Sequence, residues 1–68
     1  MAVKVIDKAA GKVTQGKFAS IKGKEVKLYS GIMSDMRGVW RGCGKCIVFS
    51  ADAVTVSADD PAKELEKD

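Results

Sequence analysis

Short runs of alternating apolar and polar residues, separated by glycines, extend along most of the chain. This period-two pattern predicts β-strands. The first run alternates valine with lysine and predicts a strand near residues 2–6, and residues 7–11 have the composition of a turn. The longer run 12–22 contains Gly16, and a glycine inside a strand pattern predicts a bulge or a bend at that position.

The next two strands can be aligned residue by residue. Gly23 and Lys24 suit a two-residue hairpin turn with glycine at its first central position. The resulting register predicts the cross-strand pairs Phe18–Tyr29, Ala19–Leu28, Ser20–Lys27, Ile21–Val26 and Lys22–Glu25. A slip of one residue would mix the apolar and polar faces, so the register is well defined.

The middle of the chain is predicted to contain a loop and a second hairpin. Residues 30–38 are expected to form the loop, with room for one helical turn. The segment Cys-Gly-Lys-Cys at 43–46 is interpreted as the hairpin turn, with Gly44 supplying the positive φ that such turns require. Residues 46–49 are all apolar, and a strand that is apolar on both faces is expected at the centre of a sheet.

The end of the chain combines a last strand with an acidic tail. A corner at 50–52 precedes a strand over 53–57. Asp60 is a good helix cap and Pro61 suits the first helical position, but one apolar residue, Leu65, is too little to hold a helix. We therefore expect a short helical turn or a disordered acidic tail over residues 58–68.

Short strands, tight turns and no long helical pattern predict an all-β fold. We expect a small SH3-like barrel or a rolled antiparallel sheet of five to six short strands, occupying residues 1–57. The chain has 68 residues, which limits it to one domain with a small core.

Charge is divided unevenly along the chain. Residues 1–49 contain ten Lys or Arg against three acids, whereas residues 50–68 contain two Lys against six acids. A basic body attracts nucleic acid, acidic proteins or anionic surfaces, although small β domains also use lysine for solubility. The sequence shows neither a secretory leader pattern nor an apolar run of about 20 residues, so we expect a cytoplasmic protein without a membrane partner.

The pair Cys43 and Cys46 has the spacing of a metal knuckle or a redox pair. The chain supplies no histidine and no further cysteine, so a structural zinc site requires the same two thiolates from a second chain in a homodimer. The favoured interpretation is structural, with Cys46 filling the sheet and no cofactor. A phosphate-binding loop is excluded, because the expected glycine is Val39 and the expected Ser or Thr is Cys46.

Catalysis has little basis in this sequence. Histidine, the commonest general base, is missing, and the acids of the basic body, Asp7, Glu25 and Asp35, fall on separate predicted turns. We therefore expect a non-enzymatic protein.

The outer face of the hairpin 17–30 combines aromatic and basic side chains. Aromatic rings stack on bases and cations meet phosphates, so this combination predicts binding of RNA or single-stranded DNA. The candidate residues are Phe18, Tyr29, Lys22, Lys27, Arg37 and Arg41. The alternative is that Phe18 and Tyr29 form a cross-strand pair with a structural role only.

A second hypothesis is a protein-interaction module, such as an inhibitor or adaptor of phage or plasmid type. Its surface would consist of the apolar residues around the predicted loop, namely Ile32, Met33, Met36 and Trp40. Methionine and tryptophan are common in protein interfaces, and the basic neighbours of these residues suit an acidic partner protein.

Overall fold

The computed structural model describes residues 2–67, which form two β-sheets and one short helix. The elements in chain order are β1 (Val3–Asp7), β2 (Val13–Gly16), β3 (Phe18–Lys22), β4 (Glu25–Ser34), β5 (Trp40–Ser50), β6 (Val54–Ala58), α1 (Pro61–Glu64) and β7 (Leu65–Lys67). The all-β class is therefore confirmed.

The first sheet has the strand order β2-β1-β6, and both of its pairings are antiparallel. Val3 and Val5 of β1 and Val54 of β6 are buried, as their alternating pattern predicts. The turn predicted at residues 7–11 is also present, and Gly11 adopts a φ of +69° there.

A bend between β2 and β3 carries the chain from the first sheet into the second. The Lys17 amide donates a hydrogen bond to the carbonyl of Tyr29 at 2.9 Å. A β-carbon on Gly16 would lie 2.7 Å from the backbone carbonyl oxygen of Tyr29, so only glycine allows this close approach. The predicted bend at Gly16 is confirmed.

The second sheet has the strand order β5-β4-β3-β7. The pairing of β3 with β4 has the predicted register, from Phe18 opposite Tyr29 to Lys22 opposite Glu25. Gly23 adopts a φ of +59° at the first central position of the connecting turn. The turn and the apolar pattern specify the same register, which explains why the prediction was correct.

The predicted loop at 30–38 and the predicted turn at 43–46 are wrong. β4 continues to Ser34 and β5 begins at Trp40, so the turn lies between them. The Asp35 carboxylate accepts hydrogen bonds from the amides of Arg37 at 2.8 Å and Val39 at 2.9 Å. An aspartate that binds the backbone amides two and four residues ahead fixes a tight turn locally.

Gly44 occupies a β-bulge inside β5. Tyr29 pairs with Cys46 and Gly31 pairs with Cys43, so one residue of β4 faces two residues of β5. Gly44 adopts a φ of +82°, which is the conformation predicted for it at a different kind of site.

The apolar run 46–49 lies in an edge strand, contrary to the expectation of a central one. Within residues 2–67, β5 pairs with β4 on one side and with no strand on the other. Ile47 and Val48 are consequently 48% and 57% exposed.

Residues 58–67 of the acidic tail are ordered, and their last strand extends the second sheet. Asp60 caps α1 by accepting a hydrogen bond from the Ala62 amide at 3.2 Å, as predicted. β7 then pairs in parallel with β3, and Leu65 lies beside Ala19 and packs against the core. A helical turn was one of the two predicted states of the tail, the disordered alternative is wrong for residues 58–67, and the added strand was not predicted.

The core lies between the two sheets and consists of Val3, Val5, Ala19, Val26, Leu28 and Val54. Residues 2–67 form seven strands, more than the five to six predicted. They form no closed barrel, because no strand of the first sheet pairs with a strand of the second. Within the same residues no helix has the length and apolar character needed to cross a membrane.

Candidate nucleic-acid interface

A cleft of about 420 Å³ lies on the outer face of the second sheet. It contains five of the six residues predicted to bind nucleic acid, namely Phe18, Lys22, Lys27, Tyr29 and Arg41. Trp40 and Glu66 also line it. Arg37 does not, because it lies in the turn at the end of the β4–β5 hairpin. We call this site the aromatic cleft.

The floor of the aromatic cleft follows from strand alternation. Residues 18, 20 and 22 of β3 face outward, and their partners 29, 27 and 25 on β4 share that face. The wall is formed by β5 at Gly42, where an added β-carbon would overlap the Tyr29 ring and lie 2.9 Å from Phe18 Cδ2. Glycine at position 42 thus allows β5 to pack directly against the aromatic pair.

The two predicted aromatic residues have different roles in the cleft. The centroids of the Phe18 and Tyr29 rings are 6.3 Å apart with an interplanar angle of 48°, a tilted pair. Phe18 is only 2% exposed, so its ring packs beside Tyr29 and offers no free face to a base. The rings that remain accessible in the cleft are those of Tyr29 and Trp40, both partly buried.

The charges in the cleft are mixed. Lys22, Lys27 and Arg41 provide cations, and Glu25 and Glu66 provide carboxylates. Lys27 Nζ lies 4.0 Å from Glu25 Oε1, and both side chains are about half exposed, so this ion pair adds little stability. The cleft therefore keeps an excess of one positive charge available to an anionic ligand.

The acidic tail reaches the cleft at two points. Glu66 of β7 lies opposite Ser20 of β3, in the row that continues to Lys27. Lys63 of α1 places its Nζ 5.9 Å from the centroid of the Trp40 ring, within cation–π range. Neither Glu66 nor Lys63 was predicted to belong to the site, since nothing in the local sequence indicates that the tail docks on β3.

The apolar residues of the second hypothesis lie at the far end of the β4–β5 hairpin. Met36 in the turn is fully exposed and Met33 is about half exposed. Ile32 pairs with Gly42 and Ser34 pairs with Trp40, so Ile32 and Trp40 share one face while Met33 is on the other. The four residues are therefore neighbours but do not form a single flat patch.

The cysteines lie on either side of the bulge in β5. Cys43 is partly buried against Gly31, and Cys46 is exposed opposite Tyr29. Neither forms a disulfide. Residues 2–67 of one chain contain no cluster of three or more metal-ligating side chains, so a zinc site at these cysteines still requires a second chain.

Comparison with models of protein families, with curated proteins and with solved structures found no match. The function therefore has to be inferred from the side chains themselves. The aromatic cleft is the place in the described chain where accessible rings and cations converge.

Proposed function

We propose that this protein is a non-enzymatic β domain that binds RNA or single-stranded DNA in the aromatic cleft. The observation that carries the proposal is the convergence of two partly exposed rings, Tyr29 and Trp40, with the cations Lys22, Lys27 and Arg41. Stacking of bases on rings and pairing of phosphates with cations is the chemistry by which single strands are bound without strict sequence preference.

Each side chain has a distinct role in this proposal. Tyr29 stacks on a base, and the buried Phe18 ring beside it holds the Tyr29 ring in place. Trp40 offers a second ring, already covered in part by Lys63. Arg37, in the exposed turn of the hairpin, extends the cationic path for a strand longer than the cleft.

The test is fluorescence anisotropy with labelled oligouridine and oligothymidine at several salt concentrations. Binding should weaken with salt with a log–log slope of about −2, because about three phosphates would be neutralised at about 0.7 per contact. Tyr29→Ala should weaken binding by about tenfold or more, since stacking contributes about 1–3 kcal/mol per base.

Tyr29→Phe is the matched control, because it keeps the ring and removes only the hydroxyl, and its affinity should stay close to that of the unchanged chain. Thr55→Ala, on the exposed face of β6 and outside the cleft, should have no effect. Binding that does not respond to salt, or an equal loss in both tyrosine variants, would contradict the proposal.

A second candidate function is supported by the end of the β4–β5 hairpin. Met36 is fully exposed, and Met33 and Val39 are about half exposed, next to Arg37 and Arg41. Such apolar exposure beside basic residues suits an acidic partner protein, as for a small inhibitor or adaptor of phage or plasmid type. Met33→Ser with Met36→Ser should then abolish co-purification of that protein while oligonucleotide binding persists.

The architecture is best described, as a proposal, as an open SH3-like barrel. The bend that joins β2 to β3 and the short corner at residues 50–53 before β6 support this assignment. A cytoplasmic location stays a prediction from the sequence.

A further inference from the structure

The free edge of β5 combines exposed apolar side chains with an unprotected backbone. Ile47 and Val48 lie on opposite faces of the strand, and each is about half exposed. Edge strands usually avoid association by being short or by carrying charge or proline. β5 has 11 residues, and its segment 46–50 contains no charge and no proline.

The backbone groups that face this edge can be assigned from two hydrogen bonds. The Ala51 amide donates to the carbonyl of Lys24 at 2.8 Å, across the β4–β5 pair. The carbonyl of Tyr29 instead accepts from Lys17 at 2.9 Å, on the side of β4 that faces away from β5. Bonded and non-bonded pairs alternate along an antiparallel ladder, so every second residue of β5 directs its N–H and C=O outward. These residues are Cys46, Val48 and Ser50.

We propose that this edge binds β5 of a second copy of the chain, with the two strands antiparallel about a twofold axis at Val48. In this register Val48 meets Val48 of the second copy, and Cys46 meets Ser50. Each residue whose backbone N–H and C=O point out of the sheet edge thus meets another such residue, which the hydrogen-bond ladder requires. On the core face, Ile47 meets Phe49.

Charge and the neighbouring cleft both favour a copy of this chain as the occupant. The segment 46–50 contributes nothing to the net charge of +3, so two basic chains can approach here without a row of like charges. The register places Lys45 of each copy opposite Ala51 of the other, so the two Lys45 side chains lie at opposite ends of the interface and do not face each other.

A second cleft of about 500 Å³ opens beside β5, where the apolar side chains of Val13, Ile47 and Phe49 line it together with polar residues of β2 and the preceding turn. Val13 is 53% exposed. In the proposed register a second copy brings its own Ile47 and Phe49 next to this cleft. The dimer would then contain one continuous sheet with β7 at each end.

The experiment is analytical ultracentrifugation of the full chain from micromolar to millimolar concentration, with a thiol reductant and a metal chelator present. We expect a reversible rise toward twice the chain mass of 7.2 kDa. Val48→Lys should weaken association by about tenfold or more, since a lysine on an edge strand opposes pairing. Thr55→Lys also introduces a lysine at an exposed position of an edge strand, here β6, and it should leave association unchanged.

Amide hydrogen exchange provides a second readout that does not depend on a variant. The amides of Cys46, Val48 and Ser50 should become protected as the concentration rises, whereas those of Ile47 and Phe49 should be protected at every concentration. A chain that stays monomeric at millimolar concentration would overturn the proposal. So would equal loss in both lysine variants, or a dimer that forms only when the chelator is omitted, which would assign association to zinc at the cysteines.

Discussion

The two edges of the four-stranded sheet are built in opposite ways. β7 has three residues, two of them charged, and it covers the side of β3 that would otherwise be free. β5 has 11 residues and leaves Ile47 and Val48 about half exposed at its own free edge. A short charged strand is a poor template for further pairing, whereas a long apolar one is a good template.

The two edge strands therefore have different structural roles. β7 closes one side of the sheet, packs Leu65 on the core and brings Glu66 to the aromatic cleft. β5 leaves the other side of the sheet unpaired in residues 2–67. Substitutions that disrupt β7 are therefore expected to destabilise the monomer. Substitutions at the free edge of β5 are expected to affect association only.

The largest effect is expected for Leu65→Asp. This change places a carboxylate against the core and should cost about 2–4 kcal/mol of unfolding free energy, a large part of the about 5 kcal/mol typical of a small domain. It should also expose β3 as a new edge and increase association. Urea unfolding followed by circular dichroism measures the first effect, and light scattering measures the second.

Lys67→Asp is the control for that prediction. Lys67 lies two residues further along β7 on the same face, but it is exposed, so its replacement should change the unfolding free energy by less than about 0.5 kcal/mol. Equal losses in the two variants would show that the docking of Leu65 does not hold β7 in place.

The next largest effect concerns the bulge in β5. Gly44→Ala places a β-carbon at a φ of +82°, where it would overlap Ser30 Oγ, and should cost about 1–2 kcal/mol. Gly11→Ala has a similar φ of +69° and meets nothing within 4 Å, so it should show the backbone cost alone. A smaller loss for Gly44→Ala than for Gly11→Ala in the same unfolding assay would contradict a tightly packed bulge.

The edges also show where sequence reasoning reaches its limit. The register of β3 with β4 was predictable because Gly23 fixes the turn and alternation fixes the faces. The apolar run 46–49 indicated a strand correctly, but periodicity contains no information about neighbours. Whether a strand lies at the centre or the edge depends on pairings formed elsewhere in the chain.

The turn of the second hairpin was predicted at the wrong place because two glycines fit a turn equally well. Gly38 in the true turn and Gly44 in the bulge both adopt positive φ, at +78° and +82°, and the sequence alone does not distinguish the two uses. Asp35 followed three residues later by Gly38 was the signal that could have located the turn. Most of the aromatic cleft was predictable from one hairpin, whereas Glu66 entered it only because the tail docks on β3.

A smaller effect is expected for Ser30→Ala. Ser30 Oγ accepts a hydrogen bond from the Lys45 amide at 2.8 Å and so holds the bulge from the β4 side. Its loss at this exposed site should cost about 0.5–1 kcal/mol. Combining it with Gly44→Ala should cost less than the two changes added together, because removing Oγ also removes the overlap. Strict additivity in a double-mutant cycle would rule out that contact.

The smallest effect is the loss of stability expected at acid pH, when Asp35 in the turn before β5 becomes protonated. Amides of Val39 and Arg37 that donate to the Asp35 carboxylate, with a further contribution from the Arg41 charge, lower the pKa of Asp35 below its ordinary 3.8. The folded pKa is below the unfolded one, so the stabilisation is complete above about pH 4 and is lost as pH falls through the folded pKa. The amide resonances of Arg37 and Val39 should therefore shift together in an acid titration followed by NMR. Asp35→Asn keeps an oxygen acceptor and should remove that pH dependence, and persistence of the same transition in the variant would assign it to another group.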